Sequence, residues 1–233
     1  MAFNEARNLE VVAREIHFTL SELGQEYEVL IVDDGSSDGT DRIADRLAKE
    51  FTQVRVIHHG ANQGLGGVYR TGFGQAQNNL ITFFPADGQF PAGIIQQFVP
   101  FMDDADMVLG YLTNRNSSLL ARSLSEAEKI LYRLLLGPLP KFQGVLMFKR
   151  RLLDSMELKS TGRGWAVLME LIIGASRGGY RLVSIPTEMR PRMSGKSKVN
   201  NLSTIWANLK QVLALAAISR NGWHKSTRFM SLL

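Results

Sequence analysis

Residues 29–40 read Val29-Leu30-Ile31-Val32-Asp33-Asp34-Gly35-Ser36-Ser37-Asp38-Gly39-Thr40. A short β-branched run that stops at two adjacent carboxylates predicts a strand emptying into a polar loop. Upstream, Leu9, Val12, Ile16 and Leu20 fall at helical spacing, with Asn4 or Glu5 near the helix start. Downstream, a second helix is predicted from near Asp41, with Ile43 and Leu47 on one face. Val54-Arg55-Val56-Ile57 reads as the next strand, and a Gly-rich turn at Gly64 leads into a helix ending near Gln77. Leu80-Ile81-Thr82-Phe83-Phe84 is nearly all apolar, as for a strand buried on both faces. Strand followed by helix, repeated, implies crossover units, an α/β class and a mostly parallel sheet flanked by helices.

The second half is less regular. Met107-Val108-Leu109, Val145-Leu146-Met147-Phe148 and Tyr180 to Ile185 read as strands. Leu119 to Leu136 and Ala166 to Ser176 read as helices, and a last helix covers Leu202 to Ser219. The expected organisation is one α/β domain over residues 1–199 and a helical extension over residues 200–233.

Of the 233 residues, 45% are hydrophobic, which supports a full core and argues against global disorder. The absence of cysteine excludes disulfides, thiolate metal sites and cysteine nucleophiles. The net charge of +5 reads as ordinary solubility or as affinity for an anionic partner. No signal peptide follows Met1, and no apolar run reaches the ~20 residues of a membrane span. The expected location is cytoplasmic, with peripheral contact at the cytoplasmic face of the membrane.

Three loops carry the candidate chemistry. In open α/β sheets ligands bind beyond the carboxyl ends of the strands. Asp33 and Asp34 stand at such an end, where a carboxylate accepts hydrogen bonds from a base or a ribose; Asp38 or Thr40 is placed to cap the following helix. Asn62-Gln63-Gly64-Leu65-Gly66-Gly67 again follows a strand and opens a helix. It reads either as a phosphate-approaching loop or as a tight structural turn. Pro85-Ala86-Asp87-Gly88-Gln89-Phe90-Pro91 places Asp87 where a divalent cation and a diphosphate would sit, or makes a simple Pro-Asp-Gly turn.

Together, Asn4-Glu5, the run from Val32 to Thr40 including Gly35, Asn62-Gln63-Gly64 and Ala86-Asp87-Gly88-Gln89 resemble, in order and spacing, the family 2 glycosyltransferases of the GT-A fold. Within them the chain is similar to the dolichol- and polyprenyl-phosphate sugar synthases. The resemblance runs through Gly144 to Arg151 and ends near Lys198. It implies an inverting hexosyltransferase that uses a UDP- or GDP-sugar. Asn4, Glu5, Asp33, Asp34, Gly35, Asn62, Gly64 and Asp87 would bind the nucleotide sugar, and Asp87 and Arg115 would take the catalytic positions. Asp87 and Gln89 would hold Mg²⁺ or Mn²⁺.

The chain departs from the pattern in three places. The family's metal motif usually reads Asp-Ala-Asp, and here the first acid is Pro85. A single carboxylate still holds a cation if the diphosphate supplies further oxygens, so weak metal affinity without nucleotide is expected. Where related enzymes often carry an arginine after Gly110-Tyr111, this chain has Leu112, although Arg115 and Arg122 match later basic positions. Family members begin with an apolar strand before Asn-Glu, and here only Met1-Ala2-Phe3 precede it. That is short of a typical strand of about five or six residues. The expectation is that the natural first strand is lacking or truncated, with the true start upstream of Met1 or, failing that, a poorly stable short form.

Arg190-Pro191-Arg192-Met193-Ser194-Gly195-Lys196-Ser197-Lys198 holds four cations in nine residues. A solvated basic loop is one reading. In the family a matching segment contacts phosphate over the active site, which puts Arg190, Arg192, Ser197 and Lys198 on the acceptor. No histidine has a nameable acidic partner, and Glu170 is either a general base or a structural carboxylate. A polyprenyl phosphate acceptor needs no base, because it is already an anion near neutrality. The last helix, with Trp206, Trp223 and Lys210, packs on the core or lies in a membrane interface. Competing readings are a nucleotidyltransferase and a catalytically impaired nucleotide-sugar-binding remnant. Nucleic acid is not an expected partner, because the basic residues are not interleaved with aromatics.

Overall fold

The computed structural model describes residues 1–113 and 137–192. Arg115, Arg122, Ser197, Lys198, the helix expected over residues 119–136 and the extension over residues 200–233 lie outside the described residues. In chain order the elements are α1 (Leu9–Ser21), β1 (Val29–Asp33), α2 (Thr40–Glu50), β2 (Val54–His58), α3 (Gly64–Gln75) and β3 (Leu80–Thr82). There follow α4 (Ile94–Phe98), a 3₁₀ turn (Val99–Met102), β4 (Met107–Leu112), β5 (Leu146–Lys149), α5 (Arg151–Asp154), α6 (Ala166–Arg177) and β6 (Leu182–Thr187).

The strands form two sheets, one of order β1-β2 and one of order β3-β5-β4-β6. β1 pairs with β2 in parallel, and β4 with β6 in parallel. β5 is inserted between β3 and β4 and runs antiparallel to both, so the sheet expected to be mostly parallel is mixed. The alternating strand-and-helix pattern behind that expectation holds through β3. It does not govern β5, which begins at Leu146, well past the end of β4 at Leu112.

Periodicity explains where the elements lie. On α1 the residues at helical spacing, Leu9 and Val12, are buried, and Leu9 packs with Ala44 and Leu47 of α2 beside Ile31 of β1. α6 is buried on almost its whole circumference, from Ala166 to Ala175, and packs with Tyr69 and Phe73 of α3 and Leu146 and Phe148 of β5. Ile94, Ile95 and Phe98 of α4 fill the other face against Val108 and Met147.

Met1 and Ala2 join the two sheets. The Ala2 N–H donates to Val32 O at 2.9 Å, and Ala2 O accepts from the Asp34 N–H at 2.9 Å. On the other side the Met1 amine donates to Phe84 O at 3.1 Å, and Met1 O accepts from the Ala86 N–H at 2.9 Å. Where the first strand was expected to be lacking or truncated, Ala2 makes a single parallel bridge to Asp33.

Burial pushes the Met1 amine down to about 6, against the opposing pull of the Asp87 charge.

Candidate functional site

The Met1–Ala2 bridge sets the acidic loops side by side. Because Ala2 pairs with Asp33 while Met1 pairs beside Ala86, Asn4-Glu5 emerges between Asp33-Asp34 on one side and Asp87 on the other. All three segments leave the carboxyl edge of the strands, where ligands bind in open α/β sheets.

Two of these loops are stitched together. The Asn4 N–H donates to Ser36 Oγ at 2.9 Å, and the Ser37 N–H returns to Asn4 Oδ1 at 2.9 Å. The Glu5 N–H donates to Thr40 Oγ1 at 2.8 Å, and the Ala6 N–H to Asp38 Oδ2 at 3.1 Å. Asp38 also accepts from the Thr40 N–H at 3.0 Å, so it organises the start of α2. Burial works against the Asp38 charge, but the hydrogen bonds from Thr40 and Ala6 outweigh it and hold the carboxyl below its ordinary value. Gly35 turns the loop at φ 72°, and a Cβ there would meet Ala61 backbone carbon at 2.9 Å. Asn4 itself sits at φ 52°, a left-handed conformation that asparagine tolerates better than most residues.

The histidines that had no nameable partner in sequence meet both buried aspartates. The parallel register places Asp33 opposite His58, so consecutive acids face consecutive histidines. His58 Nδ1 lies 2.9 Å from Asp33 Oδ2, and His59 Nδ1 lies 2.7 Å from Asp34 Oδ1. The hydrogen bond to Asp33, then that to Asp45, raises the His58 pKa above its ordinary value. The sequence signal was the shared ending of two strands, Val32-Asp33-Asp34 and Ile57-His58-His59, but only the register pairs them.

Asp34 does a second task. Its two oxygens accept the N–H groups of Gln63 and Gly64, both at 2.8 Å. The Gly66 N–H goes to Arg163 O at 2.9 Å. The Gln63, Gly64 and Gly66 amides at the start of α3 are therefore taken by protein acceptors, and Asn62 and Gly64 shape the turn. Asn62 accepts from Arg163 Nη2 at 2.6 Å and donates to Asp34 O at 3.3 Å. The glycines are needed for the close approach of residues 162–164: a Cβ on Gly66 would lie 1.9 Å from Gly162 O.

Asp87 is buried at the end of the segment that follows β3. Its Oδ1 accepts from the Gln89 N–H at 3.0 Å, and its Oδ2 meets Arg192 Nη2 at 2.8 Å. Arg192 Nη1 reaches Glu5 Oε1 at 3.2 Å. Arg190 donates to Gly88 O and pairs with Glu15. The described start of the basic segment, Arg190 to Arg192, thus meets the acidic loops from more than 100 residues away in sequence. Gln89 contributes its backbone N–H to Asp87, while its side-chain amide is directed to Met189 Sδ at 3.7 Å. The pairing of Asp87 and Gln89 as side-chain metal ligands is therefore not present in this geometry. No group of three or more His, Asp or Glu poised for a metal occurs among the described residues. Asp87 nonetheless holds a cation, the Arg192 guanidinium. One carboxylate with phosphate oxygens suits Mg²⁺ or Mn²⁺.

Glu170 is a structural carboxylate. It is fully buried, and its two oxygens accept the N–H groups of Lys159 and Ser160 at 2.8 and 2.7 Å.

Comparison with known proteins agrees with this architecture. The family model described as "Glycosyl transferase family 2" matches residues 1–155. Polyprenol monophosphomannose synthase of Mycolicibacterium smegmatis is 28% identical over 211 residues, 85% of this chain and 78% of that protein. Glycosyltransferase AglD of Haloferax volcanii is 27% identical over 97% of this chain, which spans only 37% of AglD. Among solved structures, mannosyl-3-phosphoglycerate synthase of Rubrobacter xylanophilus superposes with a TM-score of 0.68 at 16% identity, covering 100% of this chain and 76% of that one. Glucosyl-3-phosphoglycerate synthase of Mycobacterium tuberculosis, in complex with Mn²⁺, UDP and glucosyl-3-phosphoglycerate, gives 0.63 at 22% identity, covering 97% of this chain and 79% of that one. These two share the GT-A fold with this chain.

Proposed function

Since this chain belongs to glycosyl transferase family 2, we propose that it moves a hexose from a UDP- or GDP-sugar to the phosphate of a polyprenyl phosphate, with inversion. The observation that carries the proposal is the convergence of Asp33, Glu5 and Asp87 on one strand edge, with Arg192 laid between the last two. The relation to polyprenol monophosphomannose synthase supports the acceptor class.

The residues divide the work by the capacity they have left. A carboxylate has about four lone-pair sites. Asp34 has taken Gln63, Gly64 and His59, whereas Asp33 holds Ser36 and His58 and keeps room for a nucleoside donor. Asp87, with Glu5 beside it, faces the diphosphate. A divalent cation held by Asp87 would neutralise charge developing on that leaving group. Arg190 and Arg192 are placed to donate to phosphate oxygens, a geometry that guanidinium forks suit. An oxygen of the acceptor phosphate attacks the anomeric carbon. The bond from that carbon to the diphosphate breaks, and its electron pair leaves with the nucleoside diphosphate. The acceptor oxygen is already anionic, so no proton has to be removed, in keeping with Glu170 being spent on structure. Arg115, Ser197 and Lys198 belong to the same proposal through their motif positions.

Among the described residues no helix is long and apolar enough to cross a membrane. A lipid-borne acceptor would bring the site to a membrane surface, which we place on the cytoplasmic side.

The test is incubation of labelled UDP- and GDP-hexoses with Mg²⁺ or Mn²⁺ and either a short polyprenyl phosphate or 3-phosphoglycerate. Solvent-extractable lipid-linked sugar is the expected product. Transfer to phosphoglycerate alone would transfer the acceptor assignment to a small phosphate ester, as the ligands of the M. tuberculosis structures favour. Release of free sugar without transfer to either would overturn the proposal.

Arg192→Ala is expected to divide the two roles of its guanidinium. Freed from its counter-ion, Asp87 should bind Mn²⁺ more tightly without nucleotide, while nucleotide-sugar affinity falls about tenfold or more through the lost charge-assisted bonds. Calorimetric titration of the metal alone and of the donor measures both, and an unchanged metal affinity would remove Arg192 from the cation position.

A further inference from the structure

His58 closes β2 opposite Asp33, which closes β1. Its ring lies between carboxylates from two different elements. Nδ1 is 2.9 Å from Asp33 Oδ2, and Nε2 is 3.1 Å from Asp45 Oδ1 on α2. The neighbouring His59 is arranged differently, with Asp34 Oδ1 at 2.7 Å from Nδ1 and Thr71 Oγ1 at 2.9 Å from Nε2. A hydroxyl both donates and accepts, so a ring with a single N–H satisfies both of the His59 contacts. An ionised carboxylate only accepts. The two His58 contacts are therefore both hydrogen bonds only when the ring carries two N–H groups. In keeping with this geometry, the bonds to Asp33 and then to Asp45 raise the His58 pKa above its ordinary value.

A ring with one proton must give up one contact, and burial decides which. The Asp45 side chain is 57% exposed and regains water, whereas that of Asp33 is 3% exposed. Leaving a buried acceptor without its donor is the costlier choice. The last proton therefore stays on Nδ1, because the tautomer follows the stronger hydrogen bond. The Asp33 carboxylate keeps its His58 donor in both charge states of the ring. The other bond to this carboxylate, from the Ser36 N–H to Oδ1, is longer at 3.3 Å. The bond from His58 is thus the one that sets the rotation of the carboxylate, and with it the direction of the lone pairs left for a ligand.

We propose that His58 is a positioning residue of the nucleotide site: its Nδ1–H orients the Asp33 carboxylate so that the remaining lone pairs face the N–H donors of the bound nucleoside. This rests on the reading of Asp33 as a nucleotide ligand. His58 acts through Asp33, and Asp45 takes the second N–H of the ring when it is present.

The test uses the full chain and calorimetric titration of UDP and GDP in the presence of Mn²⁺. His58→Leu is expected to weaken nucleotide binding about tenfold. His58→Asn places an amide N–H where Nδ1 stood and should restore most of the affinity. His58→Gln places its amide where Nε2 stood, towards Asp45, and should not. A purely structural role would give Asn and Gln no such order, and the comparison between them stands even if the Leu variant does not fold. Asp45→Asn is expected to leave nucleotide affinity as it is. A ¹⁵N spectrum of the histidine rings, followed as the pH rises, should show His58 losing the Nε2 proton and keeping the one on Nδ1. Parent-like affinity in His58→Leu, equal affinity in the Asn and Gln variants, or a surviving proton on Nε2 would each overturn the proposal. A parent chain that binds neither nucleotide would overturn the functional reading itself, a result distinct from a parent that binds and a His58 series that does not change.

Discussion

Asp87→Ala is expected to lower kcat/KM for sugar transfer by at least about 10²-fold, the loss typical of removing one group that stabilises charge developing in the transition state. Asp87 is the acid of its loop, since Pro85 stands where the family pattern has another, and the Gln89 side-chain amide is directed to Met189 rather than to Asp87's site. Metal-dependent binding of UDP or GDP should vanish, leaving a weak, chelator-insensitive remainder. Asp87→Asn should retain the fold but not the metal dependence, because its amide cannot supply the charge that a divalent cation requires. Calorimetry with Mn²⁺, Mg²⁺ and chelator decides the matter. If Asp87→Ala binds nucleotide as the parent does under all three conditions, the metal assignment is wrong.

The second large effect is expected at Asp34, and there it is on stability. This carboxylate is 2% exposed and accepts two backbone N–H groups and the His59 ring. Asp34→Ala leaves the Gln63 and Gly64 amides without their acceptor at the start of α3. Breaking such a buried, charge-assisted cluster costs ~3–5 kcal/mol. For a chain of this size that corresponds to a fall in thermal midpoint of ~6–20 °C at ~2–4 °C per kcal/mol. Asp33→Asn should by contrast cost little stability, because its backbone contact within the loop is a single longer one from Ser36 at 3.3 Å, and should weaken nucleotide affinity instead. Thermal melts and nucleotide titrations on both variants separate the two aspartates. Equal stability loss in both would remove the distinction.

Much of the site was legible as a set of loops. Asp33, Asp34 and Asp87 each follow a β-branched or apolar run, and strand ends are where ligands bind, so their placement on one edge follows from local pattern and a general rule of open sheets. The helices α1, α2, α3 and α6 were equally plain, because burial imposes a period that survives in sequence. The pairings across the edge were not legible. His58 and His59 look unpartnered in sequence, since their acids lie 25 residues away and only strand register brings them together. Glu170 offered two readings because a carboxylate on an apolar helix looks the same whether it meets substrate or backbone; here the Lys159 and Ser160 amides take it.

Local pattern therefore determined, from the sequence alone, the strand-and-helix order of the first half and the acids at the strand ends, and the order and spacing of those motifs carried the resemblance to the family. The local properties depend on neighbours three or four residues away. Tertiary structure alone decided the antiparallel insertion of β5, the spending of the Gly64 amide on Asp34 and the capture of Asp87 by Arg192. Each depends on which backbone edges and charges meet across more than 25 residues, and no local period records that meeting.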